Sequence, residues 1–130
     1  MNSKTLVVGV VGPCASGKTT LINGLNALGY NAKHIAQEHS YVSDMWQRIS
    51  KPDILIYLDV SYPLTIVRRK MDWSIDEYYE QIRRLNHARR HADFYVQTDQ
   101  LSIDDVFSSV FDFIVAFSKN MVGHSTNSGV

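Results

Sequence analysis

The chain has 130 residues, balances 13 Lys and Arg against 13 Asp and Glu, and is 45% hydrophobic. That length holds one domain, which buries roughly two thirds of the surface its unfolded chain exposes. A formal net charge of zero sets up no global field for nucleic acid or an anionic membrane, so neither is expected as a partner. The single cysteine, Cys14, excludes an intrachain disulfide and a multi-thiolate zinc site.

Residues 5–11, Thr-Leu-Val-Val-Gly-Val-Val, form a β-branched run that does not alternate. Such a run suits a strand buried on both faces of a parallel sheet. It is too short to span a bilayer or to serve as most secretory leaders, and the chain is read as cytoplasmic. A glycine-containing loop follows. A helix then starts near Gly17, with Leu21, Ile22, Leu25 and Leu28 on one stripe and Gly29 as its stop. Residues 30–37 read as a second, weaker strand, and 43–49 as a short helix closed off by Pro52. Residues 53–60, centred on Ile54-Leu55-Ile56-Tyr57-Leu58, are another fully buried strand. The helix over 63–70 takes Pro63 in its first turn, where the missing N–H costs nothing.

Ser74-Ile75-Asp76-Glu77 matches a capping box. It opens a long helix to about Ala92, with Ile75, Tyr78, Tyr79, Ile82, Leu85 and Ala88 on its apolar side. A short strand over 94–98 follows, then a second cap-like start at Ser102-Ile103-Asp104-Asp105. The helix it opens carries Ile103, Phe107, Val110 and Ile114 on one face. From Ser118 the composition turns small and polar, which reads as a flexible tail over 118–130 after a domain over 1–117. The alternation of strands and helices implies an α/β fold: three layers, a short and mainly parallel sheet flanked by helices, with right-handed crossovers. Ligands in such sheets bind at the carboxyl ends of the strands, which puts Gly12, Glu38, Asp59 and Asp99 along one edge.

Gly12-Pro13-Cys14-Ala15-Ser16-Gly17-Lys18-Thr19 fits G-x-x-x-x-G-K-[ST] without a mismatch. Its context, between a buried strand and an amphipathic helix, is the one that pattern requires. The glycines admit backbone angles that a side chain forbids, so successive N–H groups turn inward onto phosphate oxygens. The helix from Gly17 aims the positive end of its dipole at the same anion. Lys18 adds a full charge between the β- and γ-phosphates, and Thr19 offers a hydroxyl to Mg²⁺. The loop therefore predicts a nucleoside triphosphate, read as MgATP. Cys14 is read as filler within the loop, with a redox role as the alternative.

Gly-Pro-x-x-Ser-Gly-Lys-Thr-Thr, ending at Thr20, resembles the loop of small P-loop kinases, the group holding nucleotide, shikimate and gluconate kinases. Residues 52–60 look like the strand that leads into the lid of thymidylate-type kinases. Arg68-Arg69-Lys70 stand where those kinases carry lid arginines. Residues 93–99 with Leu101-Ser102 look like their last strand and adenine-side loop. Together these segments cover much of 6–115.

The resemblance implies a P-loop NTPase fold and a Mg²⁺-dependent phosphotransferase, with ATP as donor and a small molecule or nucleotide as acceptor. Lys18, Arg68 and Arg69 would stabilise the transferring charge. The sequence departs from the family over 37–51, where such kinases carry a further strand ending in the Walker-B acid. Glu38 is the candidate for that role, sharing the metal with Thr19 or accepting a proton from the acceptor hydroxyl. Gln37, His39 and Trp46 are candidate acceptor contacts, and Asp59 a candidate second acid. The missing strand also motivates a second reading: a nucleotide-binding regulatory module, or a weak ATPase, that phosphorylates no metabolite. Ser50-Lys51-Pro52-Asp53 superficially matches the guanine-reading N/T-K-x-D pattern but precedes a strand instead of following one. Arg83, Arg84, Arg89 and Arg90 read as solvated or paired with Asp76, Glu77 and Glu80.

Overall fold

The computed structural model describes residues 6–70 and 72–128, with side chains as far as residue 120 at the C-terminal end. Its centre is a four-stranded, all-parallel sheet in the order β2-β1-β3-β4. The inner strands are β1 (Val7–Val11) and β3 (Ile54–Asp59); the edges are β2 (Asn31–His34) and β4 (Phe94–Gln97). The helices are α1 (Lys18–Ala27), α2 (Met45–Ile49), α3 (Tyr62–Arg69), α4 (Ile75–His91) and α5 (Ile103–Ser128).

Side chains alternate across a strand, and β3 shows why its sequence does not. Ile54, Ile56 and Leu58 point into a core with Leu21 and Leu25 of α1 and Val110 and Ile114 of α5. Leu55 and Tyr57 point the other way, onto Trp46 of α2 and Leu85 and Ala88 of α4. Both faces are covered by helices, so both sets of positions must be apolar. At Gly24 of α1 a Cβ would lie 2.7 Å from Phe107 Cε2, so the absent side chain is what seats α5 against α1.

The strand joints at the N-terminal edge of the sheet share one device. Just before β3, the Asp53 carboxylate accepts from the Val7 N–H at 2.8 Å, while the Asp53 N–H donates to the Val7 carbonyl at 2.8 Å. Just before β4, Asp93 does the same to Leu55, at 2.7 and 2.8 Å. Asn26 makes a similar two-way clasp from α1 onto Ala32 of β2, at 2.8 and 3.1 Å. Each clasp satisfies a backbone pair where the ladder begins, which fixes the register of a parallel strand.

Most predicted elements appear with small shifts. The second strand is shorter than expected because Gln37–His39 forms a 3₁₀ turn. The capping box of α4 is complete: Glu77 N–H donates to Ser74 Oγ at 3.1 Å and Ser74 N–H to Glu77 Oε1 at 3.0 Å. Ser102 and Asp105 repeat it at α5. The expected apolar side of α4 is corrected. Tyr79 is 53% exposed and Ile75 is also exposed, while Gln81 is buried in line with Tyr78, Leu85 and Ala88. Tyr78 donates its hydroxyl to the Val60 carbonyl at 2.7 Å. Burial, then the charge of Asp59, pushes that phenol up to about 12, so it stays a neutral donor. α5 continues to Ser128, past Ser118 where the sequence turns polar. Among the described residues no helix is long and apolar enough to cross a membrane.

The clasp at Asp93 predicts that Asp93→Ala, which leaves the Leu55 N–H without its acceptor, destabilises the domain by about 1–2 kcal/mol. Urea denaturation of the two proteins measures it; an unchanged midpoint would mean that water replaces the carboxylate without loss.

Candidate functional site in the loop between β1 and α1

The loop leaves β1 at Gly12 and enters α1 at Lys18. A Cβ on Gly12 would lie 2.1 Å from the Leu58 carbonyl oxygen, so β3 passes too close for any side chain there. Gly17 has open space around it but a φ of +97°, which L-residues with a Cβ adopt only with strain. Ala15 also holds a positive φ of 69°, a conformation the surrounding loop must impose. These turns bring the start of α1 round to face outward.

α4 and α5 open on capping boxes, whereas α1, like α2 and α3, has no side-chain hydrogen bond at its N-cap, here Gly17. The first N–H groups of a helix have no intrahelical acceptor, and here no side chain is supplied by the N-cap. Lys18, only 7% exposed, turns its ammonium back over the loop. It donates to the carbonyls of Gly12 at 2.6 Å and Pro13 at 3.0 Å, and lies 3.2 Å from Glu38 Oε2.

Glu38 arrives there because β2 pairs directly with β1, and Ile35 N–H extends that pairing to the Val10 carbonyl at 3.1 Å. The 3₁₀ turn then folds the glutamate toward the loop, where it is 2% exposed. His34 Nε2 and His39 Nε2 approach the same Oε2, at 3.5 and 3.9 Å. Glu38 Oε1 is buried and makes no hydrogen bond with the described residues, and neither does the buried hydroxyl of Ser16. Two polar atoms without partners therefore stand within one site. Such atoms are costly unless a ligand or solvent meets them.

The loop opens on a cavity of about 570 Å³. Cys14, Ala15, Ser16, Gly17, Lys18, Thr19 and Thr20 form its floor, with His34, Glu38 and His39 on one side. Arg68 and Arg69 of α3 line it too, and the start of α5 adds the apolar Leu101, Ile103, Val106 and Phe107. The loop residues Cys14 to Thr20 therefore meet Glu38, His39, Arg68 and Arg69 in this cavity, whereas Gly12 and Pro13 lie behind the loop as acceptors for Lys18, and Gln37, Trp46 and Asp59 are not part of the lining.

Several candidates also make contacts within the protein that the sequence alone does not reveal. Arg68 donates to Thr98 Oγ1 at 2.9 Å and to the Thr98 carbonyl at 2.8 Å, and reaches the Ala15 carbonyl at 3.4 Å. Its guanidinium thus ties the end of β4 to the loop. Gln37 contacts no part of the cavity: its amide accepts from Trp46 N–H at 2.8 Å and donates to the carbonyls of Val42 and Arg84. Trp46 is buried, donating to His87 Nδ1 at 3.0 Å. Asp59 lies outside the cavity, accepting from the Val60 N–H and the Tyr95 hydroxyl. Arg83 and Arg84 pair with Glu80, as the sequence indicated.

Three contributors escaped the sequence reading: His34, Thr98 and Gln81. Gln81 Oε1 accepts from the Cys14 N–H at 3.0 Å and its Nε2 donates to Cys14 Sγ at 3.1 Å, so α4 fixes the loop from behind. Its signal was present, as an amide on an otherwise apolar helix stripe. No family model matches this chain, and none of the curated proteins does.

Gly12→Ala drives a Cβ into a backbone carbonyl that cannot give way, whereas Gly17→Ala suffers only from its backbone angle. Thermal denaturation is expected to show the larger loss for Gly12→Ala, with Gly17→Ala costing about 1–2 kcal/mol. The reverse order would mean that β3 yields to the loop.

Proposed function

We propose that the loop binds the triphosphate of MgATP and that the protein is a small phosphotransferase with the P-loop fold, similar to nucleotide kinases. One observation carries this reading. A buried lysine at a helix start that lacks a side-chain cap faces a buried carboxylate with an unpartnered oxygen, in a cavity large enough for a nucleotide.

Lys18 would exchange its two carbonyl acceptors for β- and γ-phosphate oxygens, which are charged and so the stronger partners. The N–H groups of the first turn of α1 would meet the same anion. Ser16 Oγ would find its acceptor there as well. The oxygen donors of Glu38 and Thr19 suit Mg²⁺, which prefers one or two protein oxygens and keeps its waters. When bound, that ion would neutralise charge on the transferring phosphoryl group. Glu38 would also take the proton from an acceptor hydroxyl. Arg69 would bind the transferred group, while Arg68 keeps β4 and the loop in register. The apolar residues at the start of α5 would cover the purine. The guanine-like Ser50-Lys51-Pro52-Asp53 precedes β3, at the opposite edge of the sheet, which supports adenine.

A second reading, nucleotide binding without transfer, is favoured by the direct pairing of β2 with β1. That pairing gives Glu38 the place next to the loop and makes one carboxylate serve both metal and proton.

Calorimetry with MgATP and MgGTP tests the binding. Lys18→Met is expected to weaken MgATP by at least tenfold, about 1.4 kcal/mol. Because that variant leaves Glu38 unpaired, Lys18→Met with Glu38→Gln is measured beside it. Unchanged affinity in both variants would overturn the proposal. Phosphate transfer to pooled nucleosides, nucleotides and sugars separates a kinase from a binding module.

A further inference from the structure

We propose that Cys14, Glu38 and His39 form a binding site for a borderline divalent transition ion of the Zn²⁺ class, at the mouth of the loop. One ligand atom from each of the three lies within 4.8 Å of the other two. Tetrahedral coordination at zinc bond lengths sets donors about 3.3–3.8 Å apart. The three groups are thus within a small side-chain adjustment of that geometry.

The cluster rests on more than a cysteine near a histidine. Glu38 is 2% exposed, and its Oε1 is buried without a hydrogen-bond partner among the described residues. Lys18, His34 and His39 all gather on Oε2, which leaves the other oxygen for an ion. A buried carboxylate oxygen without a donor is costly, and a cation relieves that cost. Gln81 meanwhile holds Cys14 from α4, donating to Sγ at 3.1 Å and accepting from the Cys14 N–H at 3.0 Å. Such outer partners orient ligands and are a regular part of metal sites.

The donor types choose the ion. One sulfur, one imidazole nitrogen and one carboxylate oxygen favour Zn²⁺ or Co²⁺ over Mg²⁺ or Ca²⁺, which take oxygen alone. Coordination is simple ligand exchange: the Cys14 proton and bound waters leave to solvent, and no electron moves. Three protein ligands leave a fourth position open to the cavity, for water or a phosphate oxygen. The Lys18 ammonium nearby opposes a second cation, so the site suits reversible rather than permanent occupancy. Because Glu38 is shared, such an ion and the Mg²⁺ role of that residue exclude each other.

The site stands without the nucleotide reading, and is tested without nucleotide. Co²⁺ is titrated into the reduced protein, and then displaced with Zn²⁺. The expected result is one ion per chain with a near-ultraviolet thiolate-to-cobalt band. Cys14→Ser should abolish that band, and His39→Ala should weaken binding by at least about tenfold. His39 is 61% exposed, so its removal leaves the core intact. His91→Ala, on the stacked His87–His91 pair of α4, should change nothing. No thiolate band, unchanged binding in His39→Ala, or an equal loss in His91→Ala would overturn the site. Any of these leaves the Lys18 measurements standing, and failure of those leaves the metal titration standing.

Discussion

A buried ammonium and a buried carboxylate, 3.2 Å apart, join the turn after β2 to the loop after β1. Taking both charges out of water is expensive, and their attraction repays it only with further hydrogen bonds. The loop provides these: the Gly12 and Pro13 carbonyls complete the shell of Lys18. The carboxylate is served less fully, because one of its oxygens has no donor among the described residues. This imbalance is the reason to read the pair as a site and not only as a brace. A purely structural pair has no need of an open side.

The rest of the fold keeps that pair in place. Parallel pairing sets the carboxyl ends of all four strands on one edge, so the loop, the 3₁₀ turn and the end of β4 face one cavity. The opposite edge carries the aspartate clasps. Strand register is therefore fixed at one end of the sheet, and the cavity opens at the other. The loop itself is gripped from three sides. Gly12 rests against the β3 backbone, Gln81 clasps Cys14 from α4, and Arg68 reaches across from α3. A loop held this tightly would have little ordering left to do if it bound an anion.

On the two proposals, Glu38 would face two kinds of cation chemistry. With Thr19 it would offer oxygen to a hard ion; with Cys14 and His39 it would offer a mixed donor set to a softer one. One carboxylate would not serve both at once, so the ion available would decide between them.

The sequence by itself determined the strands, the capped helices and the phosphate-loop pattern. Those features depend on neighbours a few residues apart: apolar runs, Ser-x-x-Glu, and a glycine–lysine spacing. It also brought forward Glu38, since a parallel sheet dictates where strand ends lie. Other features had to wait for the tertiary structure, because they depend on residues distant in sequence. Gln37 looked free for substrate until it was seen filled by Val42, Arg84 and Trp46. Asp59, a candidate second acid, was found to accept from the Tyr95 hydroxyl. Arg68, expected beside the lid, also donates to Thr98, thirty positions away. Gln81 had no role until Cys14 was found as its partner, 67 positions away. Local periodicity reports which face of an element is buried; only packing reports which partner a buried polar group has found.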